Sequence, residues 1–184
     1  MSSPLDAVST YILAKDGNRP FLIKQAFAED AVLEIEVKTD AISFPSSAKG
    51  LNAIEDILVR RFGNDYENIY TFCLSRPSAA DRLHFACHWL VGMSAKSGGQ
   101  LRVGCGRYDW YFAPGEACLV DKLIITIEVM KVFPATELAA TMDWLCGLPY
   151  PWCTVDDAVR GMPRTGEFAA IEAYLARRGA CGDR

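Results

Sequence analysis

Two histidines in 184 residues, and seven cysteines without one CxxC pair, leave the chain without the ligand spacing of a zinc site. Lysine and arginine are outnumbered by acids, 19 to 23, and lie scattered, with only Arg60–Arg61 and Arg177–Arg178 adjacent. A nucleic-acid partner would call for a basic stripe, so that class is set aside. No apolar run approaches the ~20 residues of a membrane span. The longest, LIITIEVMKVF, is interrupted by Glu128 and Lys131 and reads as a strand. The opening residues lack a basic segment followed by an apolar one, so no secretory signal is expected. Several cysteines sit inside apolar stretches, as small buried hydrophobes do, and a reducing cytoplasm is their expected home. A Gly-rich phosphate loop is missing too, and with no metal cluster either, no cofactor is expected.

What is present is an ordinary globular balance, 51% hydrophobic and 23% charged. A chain of this length forms one domain and buries about 70% of its unfolded surface. Residues 5–15 place Leu5, Val8, Ile12 and Leu13 at helical spacing, with Ala7 and Tyr11 beside them. After the break at "DGN", Pro20 suits the first turn of a short helix over 20–28. "EDAVLEIEVK" alternates strictly, with Ala31, Leu33, Ile35 and Val37 on one face of a strand and Glu34, Glu36 and Lys38 on the other. A loop and a third helix, 50–62, follow. Four runs rich in aromatic and β-branched residues then begin at residue 66, separated by turn signals, and imply an antiparallel meander. Glycines 104 and 106 permit a sharp bend in the third of these runs. Beyond Pro134, "ATELAATMDWLCGL" reads as a helix, "PYPWC" as a rigid connector, and residues 166–178 as a last helix with Thr165 as its N-cap.

Both histidines lie in "HFACHWLVGM", residues 84–93. On a helix, four residues apart, they would face one ion; on a strand they stand ~13 Å apart. The aromatic and β-type neighbours favour a strand, so no shared metal is expected. One face of it carries Leu83, Phe85, Cys87, Trp89, Val91 and Met93, and the other carries His84, Ala86, His88, Leu90 and Gly92.

The order helix, helix, strand, helix and four long strands resembles the nuclear transport factor 2-like superfamily, also called SnoaL-like or cystatin-like. The resemblance is carried by "YILAKDGNRPFLIKQAFAEDAVLE" and by "GRYDWYF" with the hairpin after it. It implies an α+β fold: a strongly curved antiparallel sheet wrapped around three N-terminal helices, a cone-shaped α+β barrel, over residues 1–133. Residues 134–184 are then an added C-terminal helical tail packing on the cone, within a single domain overall. A hydrophobic pocket for a small ligand inside the cone, and a homodimer through the sheet, are further implications.

Within that frame the histidines face either a partner or the pocket, and His88, nearer the strand middle, is the candidate for proton transfer. Tyr11 stands where the ketosteroid isomerases carry a tyrosine that donates to a developing oxyanion. The aspartate base of those enzymes would fall at about Ile35, which cannot abstract a proton, and their second donor would fall near Tyr108. Arg107-Tyr108-Asp109 has the Arg-x-Asp form of the epoxide-hydrolase branch, which makes Asp109 an acid–base candidate. Aromatic residues supply the expected pocket wall: Phe27, Tyr70, Phe72, Trp89, Trp110 and Trp144. The segment with Trp144, Tyr150 and Trp152 is placed to cover the cone's mouth. The resulting expectation is a pocket protein for a small hydrophobic cyclic or aromatic metabolite, extending to cofactor-independent isomerase, dehydratase or cyclase chemistry. The alternatives are a noncatalytic β-type subunit resembling that of ring-hydroxylating dioxygenases, and a stand-alone ligand-binding dimer.

Overall fold

Helix α1 (Pro4–Asp16) begins at a capping box: Ser3 accepts the Asp6 N–H, and the Asp6 carboxylate accepts the Ser3 N–H. The computed structural model describes residues 3–115 and 117–179; Cys181 lies outside them. A 3-10 turn, Pro20–Leu22, leads into a single α-turn, α2 (Ile23–Ala26). The helix expected to reach residue 28 stops there because Phe27, fully buried, is already extended as the first residue of β1 (Phe27–Val37). A three-residue edge strand, β2 (Ser47–Lys49), is too short for periodicity to reveal. Next come α3 (Leu51–Glu55), a π-helical stretch Asp56–Arg61, and α4 (Phe62–Asp65).

The meander is β3 (Tyr66–Cys73), β4 (His84–Ala95), β5 (Leu101–Phe112) and β6 (Val120–Phe133). The sheet order is β2-β1-β6-β5-β4-β3, with β1 parallel to β6, so the sheet is mixed and open at two edges rather than wholly antiparallel. Helices α1 to α4 pack against its inner side, beneath Phe85, Cys87, Trp89, Val91 and Met93 of β4 and Tyr108 and Trp110 of β5. Register explains the shared face: Trp89 pairs with Gly106, Cys87 with Tyr108 and Phe85 with Trp110. In β6, Met130 pairs with Gly104 but Ile127 with Gly106, so one extra residue bulges there. That bulge lets both apolar side chains face inward although they are three apart. Gly106 leaves room for this approach, since a Cβ on it would overlap the Thr126 carbonyl oxygen and come within 2.7 Å of the Trp89 ring.

The outer side of the sheet carries a second core. Phe72, Leu90, Leu101, Val103, Cys105 and Phe133 lie under the C-terminal segment. That segment holds α5 (Leu138–Cys146), α6 (Val155–Arg160) and α7 (Ala169–Gly179). Helix α5 crosses β3 and β4, and α7 crosses β5 and β6. Gly92 makes this docking possible, because a Cβ there would collide with Leu145 of α5. Helix α6, absent from the reading of the sequence, starts at a Thr154–Asp157 capping box. The connector between α5 and α6 lies along β3: the Cys73 N–H donates to the Pro151 carbonyl at 2.8 Å, and the Cys153 N–H to the Cys73 carbonyl at 3.2 Å. The tail thus occupies much of the outer face on which a second copy was expected to pack. Among the described residues no helix is long and apolar enough to cross a membrane.

Two buried thiols, Cys105 under the tail and Cys153 within it, make the docking sensitive to alkali. Burial, and secondarily Glu128, pushes Cys105 up to about 12; burial, and secondarily Asp157, does the same for Cys153. Unfolded thiols ionise near 9.0, so between these values the unfolded chain binds fewer protons than the folded one. Stability is therefore full below about pH 9 and falls as pH rises toward about 12. Urea midpoints measured across that window should drop steeply, and Cys105→Ala with Cys153→Ala should flatten the drop. An unchanged slope in the double variant would remove the thiols as its cause.

Candidate functional site

The cone interior holds a cavity of about 50 Å³. Its accessible wall is wholly apolar, although five of the residues that form it carry polar groups turned away from it: Tyr11 and Lys15 from α1, Thr71 from β3, Trp89 from β4 and Tyr108 from β5. Helical spacing explains the first two. Val8, Tyr11, Ile12 and Lys15 form one buried stripe of α1, and lysine takes its last position with only 5% exposure. The lysine was overlooked in the sequence because of its charge, although its phase on the helix was legible.

Tyr11 and Tyr108, both named from the sequence, meet inside the cone. Their rings pack edge to face at 6.1 Å, and their hydroxyls hydrogen-bond each other. Burial pushes both phenols well above their ordinary value, with the nearby Asp16 carboxylate adding to the effect. They are therefore neutral donors, not bases. One hydroxyl of such a pair donates to the other, and the acceptor keeps its own O–H for a further partner.

Lys15 belongs to a second polar group at the same cavity. Its ammonium donates to Asp16 Oδ1 and to Thr71 Oγ1, each at 2.7 Å, and stands 4.8 Å from the centre of the Phe62 ring. Asp16 Oδ2 also accepts the Thr71 backbone N–H at 2.7 Å and the Tyr150 hydroxyl at 3.1 Å. Neither Asp16, Thr71 nor Tyr150 was named as a site residue from the sequence. One sign was available. A carboxylate in the last turn of a helix opposes the helix dipole and needs compensating donors from elsewhere.

The remaining sequence candidates lie apart. Alternation along β5 turns Tyr108 inward and its neighbours outward, where Arg107 holds Asp109 through two hydrogen bonds of 2.8 and 2.9 Å. His84, also on the outer face, lies 3.7 Å from Asp109. His88 turns outward as well, and its Nδ1 hydrogen-bonds the Tyr174 hydroxyl of α7 at 2.8 Å. It meets this chain's own tail rather than the cavity. Of the aromatic residues assigned to the pocket wall, Trp89 lines the cavity, while Phe27 and Trp110 are packed inside the cone around Tyr11. Tyr70 and Phe72 belong to the outer core beneath the tail, and Trp144, on α5, enters that core from the tail itself. The period of two along β3 is the reason: Tyr70 and Phe72 share one face, and Thr71 between them takes the inner one.

The stacked rings of Phe44 and Phe62, 6.2 Å apart, form part of the cavity wall. Beyond them lies a surface depression of about 140 Å³, which Ile42, Phe44 and Phe62 line as well. Phe44, on the loop between β1 and β2, borders both spaces.

No protein-family model and no curated protein matches this chain. Solved structures do. A nuclear transport factor 2 superfamily protein from Salmonella enterica is 14% identical, with a TM-score of 0.52 over 68% of this chain and 88% of its own. A hexachlorocyclohexane dehydrochlorinase is 14% identical, with a TM-score of 0.56 over 70% and 84%. A Mycobacterium tuberculosis protein in complex with estradiol-17beta-hemisuccinate is 16% identical, with a TM-score of 0.54 over 71% and 99%.

Proposed function

The chain has the nuclear transport factor 2-like fold, and from that premise we propose that its cone interior binds a small hydrophobic cyclic or aromatic metabolite bearing an oxygen acceptor. The observation that carries this reading is the Tyr11–Tyr108 hydroxyl pair, buried and neutral in an otherwise apolar cavity. Paired neutral donors in a dry site stabilise an oxygen that gains negative charge. The reading therefore extends to cofactor-independent isomerase, dehydratase or cyclase chemistry. Lys15 is the group at the cavity able to move a proton, with Asp16 and Thr71 orienting it. The steroid-hemisuccinate complex and the dehydrochlorinase among the structural neighbours support a small-molecule role for this interior.

The cavity, about 50 Å³, must widen to take a ring, since an apolar cavity of ~150 Å³ is what holds benzene. Entry therefore goes through the Phe44 loop, which separates the cavity from the outer depression. The test is fluorescence titration with 2-naphthol. Saturable binding is expected, and Tyr11→Phe should weaken it about tenfold, since it removes one donor and disturbs the other. If the wild-type protein shows no saturable binding, or Tyr11→Phe binds equally well, the pocket reading falls.

A further inference from the structure

A row of aromatic rings leads away from the cone cavity to an arginine at its end. Phe44 stacks on Phe62 with centroids 6.2 Å apart, and Phe62 tilts against Tyr66 at 5.0 Å. The Arg102 guanidinium then stands over the Tyr66 ring at 5.3 Å. These residues come from the β1–β2 loop, α4, the start of β3 and the start of β5. Two surface depressions follow the row. One, of about 140 Å³, is lined by Ile42, Phe44, Ile57 and Phe62, and the other, of about 330 Å³, by Lys96, Gln100 and Arg102. Asp65 and Tyr66 line both, so the two adjoin as one groove, apolar at one end and cationic at the other.

The cations along this groove differ in what they already hold. Arg61, at the apolar end, is bound to Asp56 at 2.6 Å. Arg102 is half-buried, and among the described residues no carboxylate lies within ion-pair distance of it. Its Nε donates to the Ala41 carbonyl at 3.4 Å, and its two terminal nitrogens make no hydrogen bond to a described residue. Lys96 donates to the Gly63 carbonyl at 2.5 Å. Asp65 is the one carboxylate that lines the groove, so Arg102 and Lys96 together leave one positive charge there unmatched. A guanidinium held flat over a ring, with its Nε occupied, presents the end of its fork, which fits both oxygens of a carboxylate.

We propose that this groove is a binding site for a monocarboxylate with an aromatic body. The carboxylate sits on the end of the Arg102 fork with Lys96 beside it, and the ring lies along Tyr66 toward Phe44 and Ile57. The site is outside the cone cavity and does not depend on any ligand entering the cone.

3-Phenylpropionate and 3-phenylpropionamide share a shape and differ in charge, and they serve as the probes. In full-length protein labelled at the arginine side-chain nitrogens and the methionine methyls, the acid should shift the Arg102 Nε–H signal saturably. The amide should bind about tenfold more weakly, the worth of one charge-assisted hydrogen bond. Arg102→Gln should abolish that preference, and Lys96→Gln, at an exposed position, should reduce it. Equal binding of acid and amide overturns the proposal, as does a preference that survives Arg102→Gln. The wild-type comparison decides the matter even if the Arg102 variant fails to fold. Should the acid shift the Met93 and Met130 methyls of the cone cavity while Arg102 stays still, the carboxylate is read inside the cone and the groove is not its site. If neither compound binds, the groove assignment falls, while the cone reading still rests on its own titration.

Discussion

Replacing Asp16 with alanine is expected to destabilise the protein by about 3–5 kcal/mol, because it strands the Lys15 ammonium in a nearly closed site. The side chains of Lys15 and Asp16 are only 7% and 5% exposed, and their contact is 2.7 Å. Asp16 also accepts from Thr71 and Tyr150, so its removal orphans donors on two other elements. A loss of that size is a large part of the 5–15 kcal/mol that holds a domain folded. Replacing both partners, as in Lys15→Met with Asp16→Ala, should recover much of it, since no unpaired charge is then buried. Urea unfolding of the two single variants and the double variant measures the coupling. A loss below about 1 kcal/mol for Asp16→Ala, the range of exposed ion pairs, would show that the pair does not support the fold.

The second large effect concerns the tail. A chain ending at Pro134 should lose its folded, dispersed state. It would expose Phe72, Leu90, Leu101, Val103, Cys105 and Phe133, a contiguous apolar surface on a curved sheet. Sedimentation velocity on the full and shortened chains is the measurement, with self-association or precipitation of the shortened chain expected. Phe168→Ala isolates the packing contribution without truncation. This ring lies tilted against Phe133 at 4.5 Å and meets Trp144 edge-on at 5.8 Å, so its loss should cost about 3–5 kcal/mol. A shortened chain that sediments as one folded copy and unfolds cooperatively would show that the tail is an ornament on a self-sufficient cone.

The alternation in "HFACHWLVGM" was enough to place Phe85, Cys87, Trp89, Val91 and Met93 together, and His84 with His88 opposite them. It did not say that α7 would meet the histidine side, because Tyr174 lies 86 positions away and no local pattern links it to His88. Likewise, Tyr70 and Phe72 were legibly on one face of one strand, and only the tail docking against that face decided that they lie outside the pocket.

What the sequence determined by itself was therefore what has a sustained short period: the longer helices and strands, though not β2 or α6, the apolar stripe of α1 that ends in Lys15, and the meander that brings Tyr108 toward Tyr11. The tertiary structure decided which side of each element became the interior, and which distant groups completed it. Asp16 meets Thr71 across 55 positions and Tyr150 across 134. Periodicity sorts residues onto faces because backbone geometry repeats every two or 3.6 residues. The choice between faces and the closing of long-range polar contacts depend on packing the whole sheet and tail at once, and no repeat along the chain carries that information.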